Sequence, residues 1–278
     1  MLSNEHPILN ISSAILVSGT QNNHILMAAI RFLVLAFLFA CGGSVPINER
    51  EERIIGGSNT TITSYPYIAS LHKDTEHICG ATIINSEWLV TAASCISIPN
   101  AREYLVRVGS TYSSSGGTLH QVSQILRYGS FDLNTMAHDI ALVRLSTGVI
   151  FGTNVQSIPL QESEVSDGTS ATVLGWGTIS EGGDQSNILK EADVPVVGYH
   201  SCNTSYATYG GITDNMLCAG YNEGGVDACQ GDTGGPLVSS GHLIGIVSWG
   251  AGCGHANFPG VYTKVSSYRY WIRQETGV

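Results

Sequence analysis

The sequence predicts an all-β protein: two closed antiparallel barrels followed by one short C-terminal helix. Glycine is frequent at 33 of 278 residues, and Val, Ile, Thr, Ser and Tyr are common, a composition that suits many short strands with turns over a helical bundle. Short β-prone runs recur along the chain with Gly and Ser between them, and closing such strands into barrels removes exposed edges. The length suits one large domain or two small ones with a sizeable core.

Taken in order, residues 1–26 are polar and irregular and read as an upstream extension. Met27-Ala28-Ala29-Ile30-Arg31 then leads into the apolar run Phe32 to Cys41 and the small residues Gly42-Gly43-Ser44. A basic flank, a short apolar core and a small-residue end make a secretory signal, expected over 27–43. The apolar core is short for a bilayer span, so a secreted, extracellular protein is expected, with no membrane association once the signal is removed. A charged stretch over 44–53 ends in Arg53 and reads as a short propeptide. The remaining 54–278 form the folded part.

Within it, Tyr65 to Leu71, His77 to Ile84 and Trp88 to Ala93 read as strands, the third delivering Ser94 at its end. Further runs are Tyr104 to Val108, Gln121 to Tyr128, Asp139 to Leu145, Ala171 to Trp176 and Leu243 to Trp249. Only the end looks helical: Tyr268, Trp271 and Ile272 share a face, with Ser266 or Ser267 available as a cap.

Formal charge is −10, and from Ile54 onward 9 Lys or Arg stand against 18 Asp or Glu, a balance of −9. A field of that sign argues against nucleic acid and anionic membranes, and leaves basic protein segments as partners. Seven cysteines occur, of which Cys41 lies in the apolar run, leaving an even six downstream. That parity fits an oxidising compartment, while the pairing stays open from spacing alone. No His or Cys set has metal-ligand spacing, and no cofactor or metal is expected.

The chain centres on Asp227-Ala228-Cys229-Gln230-Gly231-Asp232-Thr233-Gly234-Gly235-Pro236. Its glycines allow a tight loop whose backbone N–H groups converge on one spot, the arrangement that stabilises an oxyanion. Separated motifs agree with it in order: Ile54-Ile55-Gly56-Gly57, Thr91-Ala92-Ala93-Ser94-Cys95, Asp139-Ile140-Ala141-Leu142, Gly175-Trp176-Gly177, Ser248-Trp249-Gly250 and Pro259-Gly260-Val261-Tyr262. Together they resemble the trypsin-like serine proteases over nearly all of Ile54 to Val278. The segment Thr213 to Gly220 is similar to mite group 3 allergens and other arthropod digestive trypsins, and the whole resembles the inactivated protease paralogues of the scabies mite.

The resemblance implies six strands per barrel and the disulfides Cys79–Cys95, Cys202–Cys218 and Cys229–Cys253. It implies an activating trypsin-like protease that cuts after Arg53, freeing an Ile54 amine to pair with Asp232. A buried carboxylate needs such a partner. Asp227 matches the acid at the floor of the specificity pocket, and Gly250 and Gly260 its small walls. Asp227 would accept Lys or Arg of a ligand. Gly231 and Thr233 match the oxyanion donors.

The triad positions depart from the family pattern. Asp139 matches the orienting carboxylate, but Ser94 stands where the family has histidine and Thr233 where it has the nucleophilic serine. A serine hydroxyl has no useful basicity near neutral pH. Among the other histidines His138, next to Asp139, is expected to point to the opposite strand face, and His77 to lie behind the nucleophile loop. The expectation is a proteolytically inactive, secreted, monomeric homologue that acts by binding proteins. The resemblance adds the gut lumen as location, and host complement or other plasma proteins as partners. The alternative is an active endopeptidase cleaving after Lys or Arg with an atypical triad. Asn59 and Asn203 head N-glycosylation sequons.

Overall fold

The computed structural model describes residues 54–278; the expected extension, signal, propeptide and Arg53 lie outside the described residues. A two-residue strand β1 (Ser58–Asn59) opens the fold. Strands β2 (Ile68–Lys73), β3 (Glu76–Ile83), β4 (Trp88–Thr91), β5 (Tyr104–Val108), β6 (Thr118–Arg127) and β7 (Ala141–Leu145) close the first barrel in the order β2-β3-β4-β7-β6-β5. The second barrel consists of β8 (Ser170–Gly175), β9 (Lys190–Val197), β10 (Met216–Ala219), β11 (Pro236–Ser239), β12 (His242–Trp249) and β13 (Gly260–Lys264). Its order is β8-β9-β10-β13-β12-β11, closed by β11 on β8, with β1 appended to β9. Every named pairing is antiparallel.

Period-two alternation fills both interiors. On β5, Tyr104, Val106 and Val108 turn inward, and on β9 Ala192, Val194 and Val196 do the same. The three disulfides pair as the resemblance implies: Cys79–Cys95, Cys202–Cys218 and Cys229–Cys253. The second joins the helix Tyr199–Ser205 to β10, and the third joins the loop of Asp227 to the segment after β12. The C-terminal helix runs Arg269–Thr276 and buries Ile272. Its start differs from expectation: Ser266 and Ser267 lie in a 3₁₀ turn over Val265–Tyr268, and no side chain caps the helix. The chain enters through that continuous turn, so the serines fall too early to reach the helix's free N–H groups.

The barrels meet backbone to backbone beside the candidate site. Gly80 on β3 donates its N–H to the Thr233 carbonyl at 2.8 Å. A Cβ on Gly80 would lie 2.5 Å from the Gly235 Cα, closer than any real contact. Gly80→Ala is therefore expected to destabilise the protein by about 1–3 kcal/mol, the usual cost of overpacking rigid structure. Thermal unfolding of the variant checks this, and an unchanged midpoint would mean that the joint yields.

Candidate active site and the adjoining pocket

Ser94 sits just past β4 in a 3₁₀ turn, Ala93–Cys95, whose last residue is fixed to β3 by the Cys79–Cys95 disulfide. From there its backbone N–H donates to Asp139 Oδ1 at 2.7 Å and its hydroxyl donates to Oδ2 at 2.9 Å. Ser248, buried on β12, donates its hydroxyl to the same Oδ2 at 2.6 Å. Thr263 holds the Asp139 backbone carbonyl at 2.6 Å. Asp139 is 1% exposed, and burial pushes its carboxyl up while the Ser248 and Ser94 hydrogen bonds pull it back. The carboxylate thus holds Ser94 itself at both nitrogen and oxygen. Ser248 and Thr263 were visible in the sequence only as parts of motifs and strands. Their hydroxyls become site groups because β12 and β13 carry them to Asp139.

Thr233 lies half-buried on the loop between the Cys229–Cys253 disulfide and β11. Among the described residues, no hydrogen bond joins Ser94 to Thr233, and the Gly231 and Thr233 N–H groups donate to no protein atom. Those two N–H groups are left for an incoming oxygen. The loop is held open around them. Gly231 adopts φ +96°, the Gln230 carbonyl accepts from Thr178 N–H at 2.8 Å, and the Gly231 carbonyl accepts from His77 Nε2–H at 3.0 Å.

His77 is indeed the histidine behind this loop. Because Nε2 donates to Gly231, Nδ1 is bare and accepts from the Ser70 hydroxyl at 2.7 Å. The buried ring is driven down to about 4, burial outweighing the bond to Gly231. Ser70 also meets His72 Nε2 at 2.8 Å, and His72 Nδ1 faces the Thr75 carbonyl at 3.3 Å. With both rings neutral, three protons serve four contacts, and the longest is the one left without a hydrogen.

His138 points away from the site, but not for the reason expected. It precedes β7, with φ +59°, so strand alternation does not apply. Its Nδ1 meets the Tyr268 hydroxyl at 3.0 Å and Asn215 Nδ2 at 3.1 Å, and its ring stacks on Tyr128. Of the others, His120 bonds Thr118 and Thr147, His242 the Ser240 carbonyl, His255 Glu181, and His200 packs edge-on to Tyr199. All seven described histidines are thereby placed, and none is hydrogen-bonded to Thr233.

Asp232 turns its side chain inward. Its Oδ1 accepts from Gly177 N–H at 2.7 Å and its Oδ2 from Cys229 N–H at 2.9 Å. The fit explains the Gly-Trp-Gly motif, since a Cβ on Gly177 would lie 2.5 Å from the carboxyl carbon. Burial pushes Asp232 up to about 7. Ile54 is also fully buried, in the core of the second barrel, and the Ile55 carbonyl accepts from Asp227 N–H at 3.1 Å. No bond joins Ile54 to Asp232 among the described residues. The Ile54 nitrogen is an amide in the intact chain, and an ion pair there requires the cut after Arg53.

Asp227, Gly250, Gly260 and Thr233 line one cavity of about 220 Å³. Asp227 is 4% exposed, its oxygens held by Ala228 N–H at 2.8 Å and Gly254 N–H at 2.9 Å. Burial raises it to about 6. A separate cleft of about 770 Å³ runs past Ser94, lined by Ile96, Leu126, Tyr128 and Leu133. The two sequons differ in setting. Asn59 is exposed on β1 with its carbonyl on the Lys190 ammonium, whereas Asn203 faces inward and accepts from Ile212 N–H at 3.0 Å.

Two closed barrels, three disulfides and this loop geometry coincide with a match of residues 54–272 to the family model described as Trypsin. The chain belongs to the trypsin family. It is 42% identical to Trypsin alpha of Drosophila melanogaster over 88% of this chain and 97% of that one. Trypsin delta of the same fly is 40% identical over 87% and 98%, and Trypsin beta of Drosophila erecta 41% over 87% and 98%. These trypsins span almost the same length as the chain.

The buried acids set a pH dependence. Asp232, raised to about 7, contributes stability at low pH that is lost as pH climbs through that value, and Asp227, at about 6, has the same sign. His77, lowered to about 4, and His72, also lowered by burial, work in the opposite sense, and because half of each unfolded imidazole is still protonated at 6.5 they go on adding stability for about a pH unit above it. Between pH ~6.5 and ~8 the carboxylates withdraw on the order of 1 kcal/mol and the imidazoles return a large part of it, so the intact chain should lose no more than about 0.5 kcal/mol, about 1–2 °C in melting midpoint at this size. A rising midpoint would mean that Asp232 is already charged and paired.

Proposed function

We propose that this trypsin-family chain is proteolytically silent and acts as a secreted protein-binding module, matured by a cut after Arg53. The observation that carries the reading is the capture of Ser94 by Asp139. Peptide hydrolysis on this scaffold needs a base between the carboxylate and the hydroxyl of Thr233. The group at that position is a hydroxyl spent on Asp139, and the described histidines are engaged elsewhere. Thr233 adds a methyl beside the oxyanion donors and narrows its own rotamer choice. In place of chemistry the molecule offers a formed oxyanion loop, an acidic cavity and a cleft, which suit holding a basic segment of another protein.

The competing reading, an endopeptidase cleaving after Lys or Arg, is favoured by those same formed parts. Hydrolysis of an Arg-ester by the chain cut after Arg53 separates the two. The wild type should stay about 10⁴-fold or more below the paired variant Ser94→His with Thr233→Ser, since triad members act as a unit. Wild-type turnover near that of the variant would overturn the silent reading. A narrower role against host complement rests on the likeness of Thr213 to Gly220 to mite proteins. It predicts reduced lysis of sensitised cells in serum when the protein is added.

A further inference from the structure

We infer that the Thr75 carbonyl, His72, Ser70, His77 and the Gly231 carbonyl form one hydrogen-bond relay that is a proton short. A single added proton closes it, making a pH-sensitive clasp between the β2–β3 turn and the loop of Thr233.

The relay crosses two strands. Ser70 and His72 stand on β2 and His77 on β3, with His72 opposite His77 in the register and their ring centroids 6.2 Å apart. Ser70 is fully buried and His72 is 1% exposed. The four contacts measure 3.3 Å at Thr75, 2.8 and 2.7 Å on the two sides of Ser70, and 3.0 Å at Gly231. Two neutral rings and one hydroxyl bring three hydrogens, and these can run in either of two polarities. In one they point toward Gly231, and a bare His72 nitrogen faces the Thr75 carbonyl. In the other they point toward Thr75, and a bare His77 nitrogen faces the Gly231 carbonyl. The long contact at Thr75 selects the first. In either polarity one end sets two acceptors against each other, an unsatisfied arrangement that costs stability.

A fourth hydrogen removes the conflict wherever its charge settles. Placed on His72, it gives Nδ1–H to Thr75 and leaves the other contacts unchanged. Placed on His77, it reverses Ser70: His77 Nδ1–H donates to the hydroxyl, the hydroxyl to His72 Nε2, and His72 Nδ1–H to Thr75. Both forms make four hydrogen bonds, and both keep the bond from His77 Nε2–H to Gly231.

The surroundings admit one such proton and resist a second. Arg107 of β5 opposes a charge on His72, but its guanidinium is turned to the carbonyls of Ser113, Ser114 and Gly116. Lys73 pairs with Glu103, and Asp74 and Glu76 are exposed. On the other side Asp232 is turned to Gly177 and Cys229, away from His77. Each ring opposes a charge on its neighbour. Burial lowers both rings, while the Thr75 bond works the other way at His72.

Nitrogen-15 NMR of the imidazoles in the full chain tests this, because it tells a bare nitrogen from one that carries hydrogen. At pH ~8 both rings should carry hydrogen on Nε2 and none on Nδ1. On acidification the two rings should shift together, with one midpoint below the unperturbed 6.5 and one proton shared between them. The His77 Nε2–H should persist throughout. Ser70→Ala cuts the relay, and the two midpoints should then part by about one pH unit, the ordinary spread among histidine sites. Separate midpoints in the wild type overturn the relay, whether or not the variant folds. So does a shared midpoint that survives Ser70→Ala, or a pair that stays neutral until acid unfolds the chain. Loss of the His77 Nε2–H on acidification overturns the clasp at Gly231.

Discussion

Two glycine-lined backbones pressed together set the geometry of everything at the barrel joint. The Gly80 N–H on the Thr233 carbonyl, with no room for a side chain between β3 and Gly235, fixes the Thr233 loop to the first barrel even though its covalent neighbours belong to the second. His77 adds a second tie, from β3 to the Gly231 carbonyl. The peptides that carry the Gly231 and Thr233 N–H groups are held at their other edge, the Gln230 carbonyl by Thr178 N–H and the Asp232 carbonyl by Gly235 N–H, both at 2.8 Å, so each N–H points away from those partners. The shape of the loop is therefore set by barrel packing together with its own backbone hydrogen bonds, and none of these uses the side chain of residue 233.

Chemistry does not follow from packing in the same way. Asp139 is equally well placed by β12 and β13, through Ser248 and Thr263. What it does depends on the length of its neighbour. An imidazole at residue 94 would carry a nitrogen on each side of its ring, one for the carboxylate and one for the nucleophile. A serine has a single oxygen on a single carbon, and the carboxylate draws it home. The exchange suits the fold, because a buried carboxylate with an absent partner costs several kcal/mol and the serine supplies two hydrogen bonds. A serine at residue 94 is thus compatible with an intact core.

Much of this was legible in the sequence. β5 and β12 emerge within a residue of the expected runs because their apolar residues are dense or strictly alternating. β9 was missed although Ala192, Val194 and Val196 alternate regularly with Glu191, Asp193 and Pro195, because charged residues and a proline are poor strand formers and hide the inner face in the sequence. β11 and β13 were read as motif rather than strand, since Gly and Pro at their starts signal turns. The disulfides pair as the family resemblance implies, and the three residues it assigns to one pocket, Asp227, Gly250 and Gly260, do line one cavity. Ser248 and Gln230 did not stand out, for each acquires its role from a partner distant in the chain. The His138 error was local. Alternation was assumed for a residue that takes a left-handed backbone before its strand begins.

Three aspartates are buried at this joint, and the fold treats them differently. Asp139 is satisfied by hydroxyls and one N–H, and it needs nothing more. Asp232 and Asp227 each receive two backbone N–H groups and no Lys or Arg among the described residues, and burial, opposed at Asp227 also by His255, holds both above the ordinary carboxylate range. Backbone dipoles can fix such a group but cannot repay its lost hydration. The intact chain therefore carries two unfinished sites about which the protein is electrostatically strained. One, Asp232, is sealed in the core. The other opens on solvent through a cavity. Any cation that reaches either site stabilises the native state by the same free energy that binds it. A cation at either site would answer the same electrostatic demand, and meeting it calls for no bond-breaking chemistry.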